Sequence, residues 1–208
     1  MSVFDPKAHW EKAWLAKRAH EVSWYQKVPQ LSLSMIKNAG LDHNAPLIDI
    51  GGGASLLVDH LLEAGYRDIT VLDISRAALE HARQRLGGQA GRVNWVEADI
   101  THFTPDRSFA LWHDRAAFHF LVEVADRKRY VEVLHQALLP GGQAIIAPFA
   151  PEGPKKCSGL DIVQYDAAGL QTILGGDFDL LEQGAEEHLT PAGTIQNFGF
   201  YRFGRLLN

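Results

Sequence analysis

Cysteine is nearly missing from this chain, and that shortage closes off several kinds of protein. Cys157 stands alone, so no intramolecular disulfide can form and no cysteine-built zinc site is available. Long apolar runs are missing too. None approaches the ~20 residues that cross a bilayer as a helix, and the opening Met-Ser-Val-Phe-Asp-Pro-Lys lacks the apolar stretch of a secretory signal. The expectation is a cytoplasmic protein with no membrane partner. Basic surface is scarce: 20 Lys and Arg, scattered along the chain, face 25 Asp and Glu. A nucleic-acid partner is therefore not expected. Repeats, low-complexity tracts and Pro/Gly/Ser linkers are absent as well. At 208 residues there is room for one well-cored domain but not comfortably for two.

What is present divides at about residue 45. Before it, Trp10, Trp14 and Leu15 recur at helical spacing after Asp5-Pro6, a good helix start. A second helix is expected over Pro29–Asn38, stopping at Gly40, with the aromatic connector Glu21-Val22-Ser23-Trp24-Tyr25-Gln26 between them. From Pro46 onward short apolar runs alternate with helical segments. Strands are expected at 47–50, 69–72, 93–96, 109–113 and 143–147, and helices at 55–64, 76–86 and 130–139, the last closed by Pro140-Gly141-Gly142. That alternation implies a parallel sheet covered on both faces. Two later strand-like runs, 178–182 and 196–203, have no helix-length segment between them and are expected to pair antiparallel. The expected organisation is one α/β domain over 1–208, with residues 1–45 as a helical lid and 46–208 as the core.

The chemistry gathers where the first strand meets a helix, at Asp49-Ile50-Gly51-Gly52-Gly53. Ligands of open α/β sheets bind outside the carboxyl ends of the strands, and glycine there lets a ligand approach the backbone. A glycine turn alone is compatible with nothing more than a tight turn. Asp73, twenty positions beyond Gly53 at the end of the second strand, adds a carboxylate able to accept ribose hydroxyls. It can also cap the following helix, although Ser75 is placed to do so. A dinucleotide fingerprint needs a third glycine at position 56, which is Leu56, and no phosphate-cradling Gly-Lys-Ser/Thr run occurs. Asp49 would repel a phosphate and suits a cationic ammonium. S-adenosylmethionine, with adenine, ribose, sulfonium and amino acid, meets that description.

These motifs resemble those of the class I S-adenosylmethionine-dependent methyltransferases. The acidic-x-Gly-x-Gly motif corresponds to Asp49-Ile50-Gly51-Gly52-Gly53, with Ser55 where the family often has another glycine. The ribose acid corresponds to Asp73, the adenine-side acid to Asp99 in Val96-Glu97-Ala98-Asp99-Ile100, and the turn before strand five to Pro140-Gly141-Gly142. The resemblance implies a Rossmann-like seven-stranded sheet with its last strand inserted antiparallel. It also implies S-adenosylmethionine as cofactor, held by Asp49, Gly51, Gly52, Gly53, Asp73, Ile74, Asp99, Ile100 and Trp24. The connector, the run Trp112–Leu121 and Lys156-Cys157-Ser158-Gly159-Leu160 are similar to a group of small bacterial methyltransferases. That group is loosely similar to animal enzymes acting on a lysine of citrate synthase.

Methyl transfer from a sulfonium needs alignment and exclusion of water more than acid–base chemistry. Acceptor contacts are expected from the end of strand four, where Asp114, Arg115 and His119 are the candidate catalytic residues. A buried Asp114 cap and a core His119 are the competing readings, and His119 is the candidate base if one is used. Strand alternation sets His113 and Asp114 on opposite faces, and His113 takes the lesser weight. Trp24 and Tyr25 either close over the sulfonium or pin the first helices to the sheet. Cys157 is assigned no role, His60, His81 and His102 are read as surface residues, and no metal is expected. The partner expected is a small molecule, favoured by net charge and size. A protein lysine, a nicotinamide-dependent oxidoreductase and a non-catalytic nucleotide-binding scaffold are the alternatives.

Overall fold

The computed structural model describes residues 4–207. Helix α1 (Pro6–Ala16) starts where Asp5 accepts a hydrogen bond from the Ala8 amide and Pro6 needs no partner. After a turn of 3-10 helix and the connector comes α2 (Gln30–Asn38). The alternating core follows as β1 (Leu47–Ile50), α3 (Leu57–Glu63), β2 (Ile69–Asp73), α4 (Arg76–Leu86), β3 (Val93–Glu97), β4 (Phe109–Arg115), α5 (Val124–Ala137) and β5 (Leu138–Ala147). A short hairpin of β6 (Lys156–Cys157) and β7 (Leu160–Asp161), helix α6 (Ala167–Leu174), and strands β8 (Phe178–Leu189) and β9 (Ile195–Arg205) complete it. The sheet order is β3-β2-β1-β4-β5-β9-β8. β1 to β5 run parallel and β9 inserts antiparallel between β5 and β8, as the family resemblance implies. Among the described residues no helix is long and apolar enough to cross a membrane.

Several elements depart from the sequence expectation in instructive ways. α5 begins six residues before Tyr130, because its first turns are polar and exposed and so carry no apolar period. Residues 139–142 do not close that helix. They bulge out of register at the start of β5, between the Phe109–Leu138 and Leu111–Gln143 pairs. β8 is twelve residues long, but as a charged edge strand it lacks a clear apolar alternation. α6 and the small hairpin were not expected.

The most consequential departure is β4, which continues through Arg115. Alternation then assigns its side chains to two cores. Leu111, like Leu47 of β1, joins the cluster under α2 and α3, whereas Trp112, with Ile48 and Ile50, joins the cluster under α5 and α6. Asp114 falls on the second side, where it is fully buried. It accepts from the Ala117 and Phe118 amides and from the Tyr130 hydroxyl at 2.8 Å, while that hydroxyl accepts from Trp112 Nε1 at 2.8 Å. The assignment of Asp114 to catalysis is therefore corrected. Burial pushes its carboxyl up to about 6 against those donors, and its work is to close the turn after β4. Tyr130→Phe should lower stability by about 1–3 kcal/mol, since a buried indole N–H and a buried carboxylate both lose a partner. Urea unfolding at a pH above the Asp114 value measures it, and an unchanged midpoint refutes the account.

Candidate functional site

The parallel register of β1 and β4 sets Asp49 directly opposite His113. Both project to the α2 side, where His113 Nδ1 meets Asp49 Oδ1 at 2.7 Å and His113 Nε2 meets Ser32 Oγ of α2 at 2.9 Å. All three residues are buried. A carboxylate can only accept, so Nδ1 carries the proton donated to Asp49, and Nε2 meets the serine hydroxyl. The second carboxylate oxygen, Oδ2, faces the glycine turn. A Cβ built on Gly52 would collide with it, and one on Gly53 would lie 2.5 Å from Asp73 Oδ2. Gly51, at φ +65, adopts the left-handed region that glycine enters without penalty. The turn is a cradle between two carboxylates that any side chain would fill.

Asp73 is buried at the end of β2. Ser75, not Asp73, caps α4 by accepting from the Ala78 amide, while Asp73 Oδ1 accepts from the Ser75 amide at 2.8 Å. Only Oδ2 is left toward the turn. Burial, followed by the charges of Asp49 and Glu11, pushes Asp73 up to about 7. The next turn is tied alongside, since the Ala98 amide donates to the Asp73 carbonyl. Asp99 there accepts from the amide and hydroxyl of Thr101, and its neighbour Ile100, like Ile74, is half-buried.

The N-terminal segment packs across this cleft. Glu11 of α1 accepts from the Ser75 hydroxyl and the Ala77 amide, placing a third carboxylate at the start of α4. Trp14 is buried with Val22, Ala54, Ala77 and Ala78, a docking contribution of about 1.5–3 kcal/mol. Trp24 stands edge-on to both Trp10 and Trp14 and lines the cleft beside Tyr25, Asp49, Gly52, His113 and Arg115. Trp24 thus both pins the segment and faces the cleft. The cavity there has a volume of about 50 Å³ and opens partly to solvent.

Arg115 shares the Asp49 face. Its guanidinium donates to the Trp24 carbonyl and to Glu186 of β8, each at 3.1 Å, and its centre lies 4.2 Å from the Phe198 ring. Burial lowers its pKa, opposed by Glu186. His119 does not join it as a base. It is fully buried, meets Phe120 edge-on and Phe149 at a tilt, and accepts the Phe149 amide on Nδ1. Burial, then the Arg115 charge, drives it down to about 3, so it stays neutral and cannot hold an abstracted proton. Cys157 is buried and its thiol is pushed up to about 11 by burial, which makes it unreactive. Ser32, Glu11 and Glu186 carried no sequence signal as site residues, because each arrives from a distant segment. His113 was visible but underweighted.

Comparison with known proteins agrees with this geometry. A methyltransferase domain family matches residues 47–142. The bovine "eEF1A lysine and N-terminal methyltransferase" (Bos taurus) is 24% identical over 131 residues, which is 62% of this chain and 18% of that protein. "Nodulation protein S" of Sinorhizobium fredii (strain NBRC 101917 / NGR234) is 28% identical over 138 residues, 65% of this chain and 59% of that protein. The chain thus spans less than two thirds of these relatives. A glycopeptide N-methyltransferase, MtfA, solved with S-adenosyl-L-homocysteine superposes with a TM-score of 0.70 at 16% identity, over 99% of this chain and 100% of that one. At that identity the likeness establishes the fold. Residues 47–142 thus match a methyltransferase domain, and the sheet order and the glycine turn between two acids have the class I methyltransferase form. MtfA has also been solved with S-adenosyl-L-methionine.

The buried state of His119 generates a test of its own. Its folded pKa lies far below the ordinary 6.5, so below 6.5 the unfolded chain binds a proton that the folded chain refuses, and stability falls with pH. His119→Gln should flatten that acid slope in urea titrations. A slope identical to wild type would mean that the imidazole is not held neutral.

Proposed function

We propose that the protein transfers a methyl group from S-adenosylmethionine to a nitrogen nucleophile on a small molecule, with the first forty-five residues serving as a lid over the donor. One observation carries the donor site: Asp49 and Asp73 flank a glycine turn in which any Cβ would strike their carboxylates. Asp49 Oδ2 suits the ammonium of the donor's amino acid, and Asp73 Oδ2 suits a ribose hydroxyl. Asp99 suits the adenine amine, with Ile74 and Ile100 along the ring. Bound there, the sulfonium supplies an electrophilic methyl carbon. Trp24 offers it an aromatic wall, and the closed connector excludes water.

The acceptor assignment draws support from two directions. Relatives named for lysine, N-terminal and glycopeptide N-methylation act on nitrogen, and an amine that arrives unprotonated needs no base, in keeping with a His119 that burial holds neutral. The cleft is walled by Trp14, Trp24 and Tyr25, which favours a small molecule over a folded surface. Arg115, fixed by Glu186 and the Trp24 carbonyl, would border the acceptor and hold the lid to the sheet.

Incubation with methyl-labelled donor and fractionated extract tests the whole reading. Label should appear in amines of low molecular mass. Label confined to protein would move the acceptor to a lysine or N-terminus, and failure to bind donor or S-adenosylhomocysteine would remove the reading.

Asp73 adds a pH signature. Ribose hydroxyls donate to the ionised carboxylate, so binding must expel the proton that Asp73 holds below about 7. S-adenosylhomocysteine affinity should therefore weaken as pH falls through that value, with proton release seen as buffer-dependent heat. Asp73→Asn should weaken binding about tenfold or more and abolish the release. Equal binding and equal proton release in both proteins would dismiss the ribose role.

A further inference from the structure

We propose that His113 is the positioning residue for the amino-acid end of the methyl donor: it fixes Asp49 so that one carboxylate oxygen faces the glycine turn, and it links that carboxylate to the lid through Ser32. The proposal rests on the cleft being the donor site. Its basis is a continuous chain of buried polar groups from three elements: Asp49 on β1, His113 on β4 and Ser32 on α2.

The arrangement leaves Asp49 little freedom. Oδ1 is held by the imidazole N–H at 2.7 Å, and Oδ2 points at the place where Gly52 has no Cβ. Without the imidazole, a carboxylate in this buried position would be free to rotate and would lack its charge-assisted partner. The imidazole is itself held at the far side by the Ser32 hydroxyl, on a helix that belongs to the N-terminal segment. With Nδ1–H donated to Asp49 and Nε2 on the Ser32 hydroxyl, the positions of Asp49 and α2 are coupled through a single ring. A ligand ammonium on Oδ2 would complete a line from the cleft to the lid.

The connectivity is also that of a serine nucleophile with its base and orienting acid. Two features count against that use. Ser32 is 1% exposed, on the face of α2 turned to the core, and Asp49 is needed at the glycine turn.

The test compares two ligands by calorimetry. S-adenosylhomocysteine carries the amino acid, whereas 5′-methylthioadenosine has the same adenine, ribose and thioether without it. Wild type should bind the first more tightly. His113→Ala should weaken S-adenosylhomocysteine about tenfold or more while changing 5′-methylthioadenosine less than about twofold. His113→Asn, whose side-chain amide can stand where Nδ1–H stood, should recover most of the loss. A merely structural histidine would weaken both ligands together, or show no rescue by asparagine, and either result overturns the proposal. So does undiminished S-adenosylhomocysteine binding in His113→Ala, or labelling of Ser32 by a fluorophosphonate. If wild type binds neither ligand, the donor-site reading fails instead, and that outcome is separate from any effect of the variants.

Discussion

The register between β1 and β4 constrains nearly everything else in the molecule. Asp49 lies between Ile48 and Ile50, both packed beneath α5 and α6, so it must project to the opposite face. On that face the register sets His113 of β4 on one side of it and Val71 of β2 on the other, and only the imidazole can pair with a carboxylate. A slip of one residue would drive Asp49 into the apolar layer and bring Trp112 out of it, burying an unpaired charge while exposing the largest side chain of the core. Folding correctly and assembling the site are consequently one event. The same alternation carries Arg115 to the cleft and Asp114 to Tyr130, so neighbouring residues of one strand perform unrelated work.

The electrostatic character of the cleft follows from what gathers there. Asp49, Asp73 and Glu11 arrive from β1, β2 and α1, and Asp73 is raised by burial and then by the charges of the other two. The one strong cation nearby, Arg115, is answered by Glu186 at 3.1 Å. The interior of the site is thus net acidic and only partly solvated, a field that attracts a ligand with both ammonium and sulfonium charge and repels phosphates. The sign of the field, more than any single contact, separates this glycine turn from those that hold dinucleotides.

How much was legible in the sequence depended on how local each signal was. The glycine turn, Asp73, Asp99 and the strand–helix alternation are written within short windows, and the sheet order followed from the motifs they compose. Ser32 and His113 are separated by 81 positions, and nothing near either residue announces the other. The end of β4 turned on two residues. Ending the strand at His113 left Asp114 and Arg115 as loop neighbours sharing one role, whereas continuing it through Arg115 separates them by face. His119 was open to two readings because burial, which decides between base and core residue, cannot be seen in a run such as Phe118-His119-Phe120.

The seat of the N-terminal segment is made by the end of the chain. Gln26 donates to Glu186, His188 meets the Ser23 carbonyl and Asn38 donates to Glu182, spanning 160, 165 and 144 positions respectively. All three partners lie on β8, which is held in the sheet only through β9. The connector and α2 are therefore seated on β8, whereas Trp14 of α1 rests on Ala54, Ala77 and Ala78. The roof of the cleft is thus only as firm as the β8–β9 hairpin, and a substitution that loosens β9 would slacken the connector at the opposite edge of the sequence.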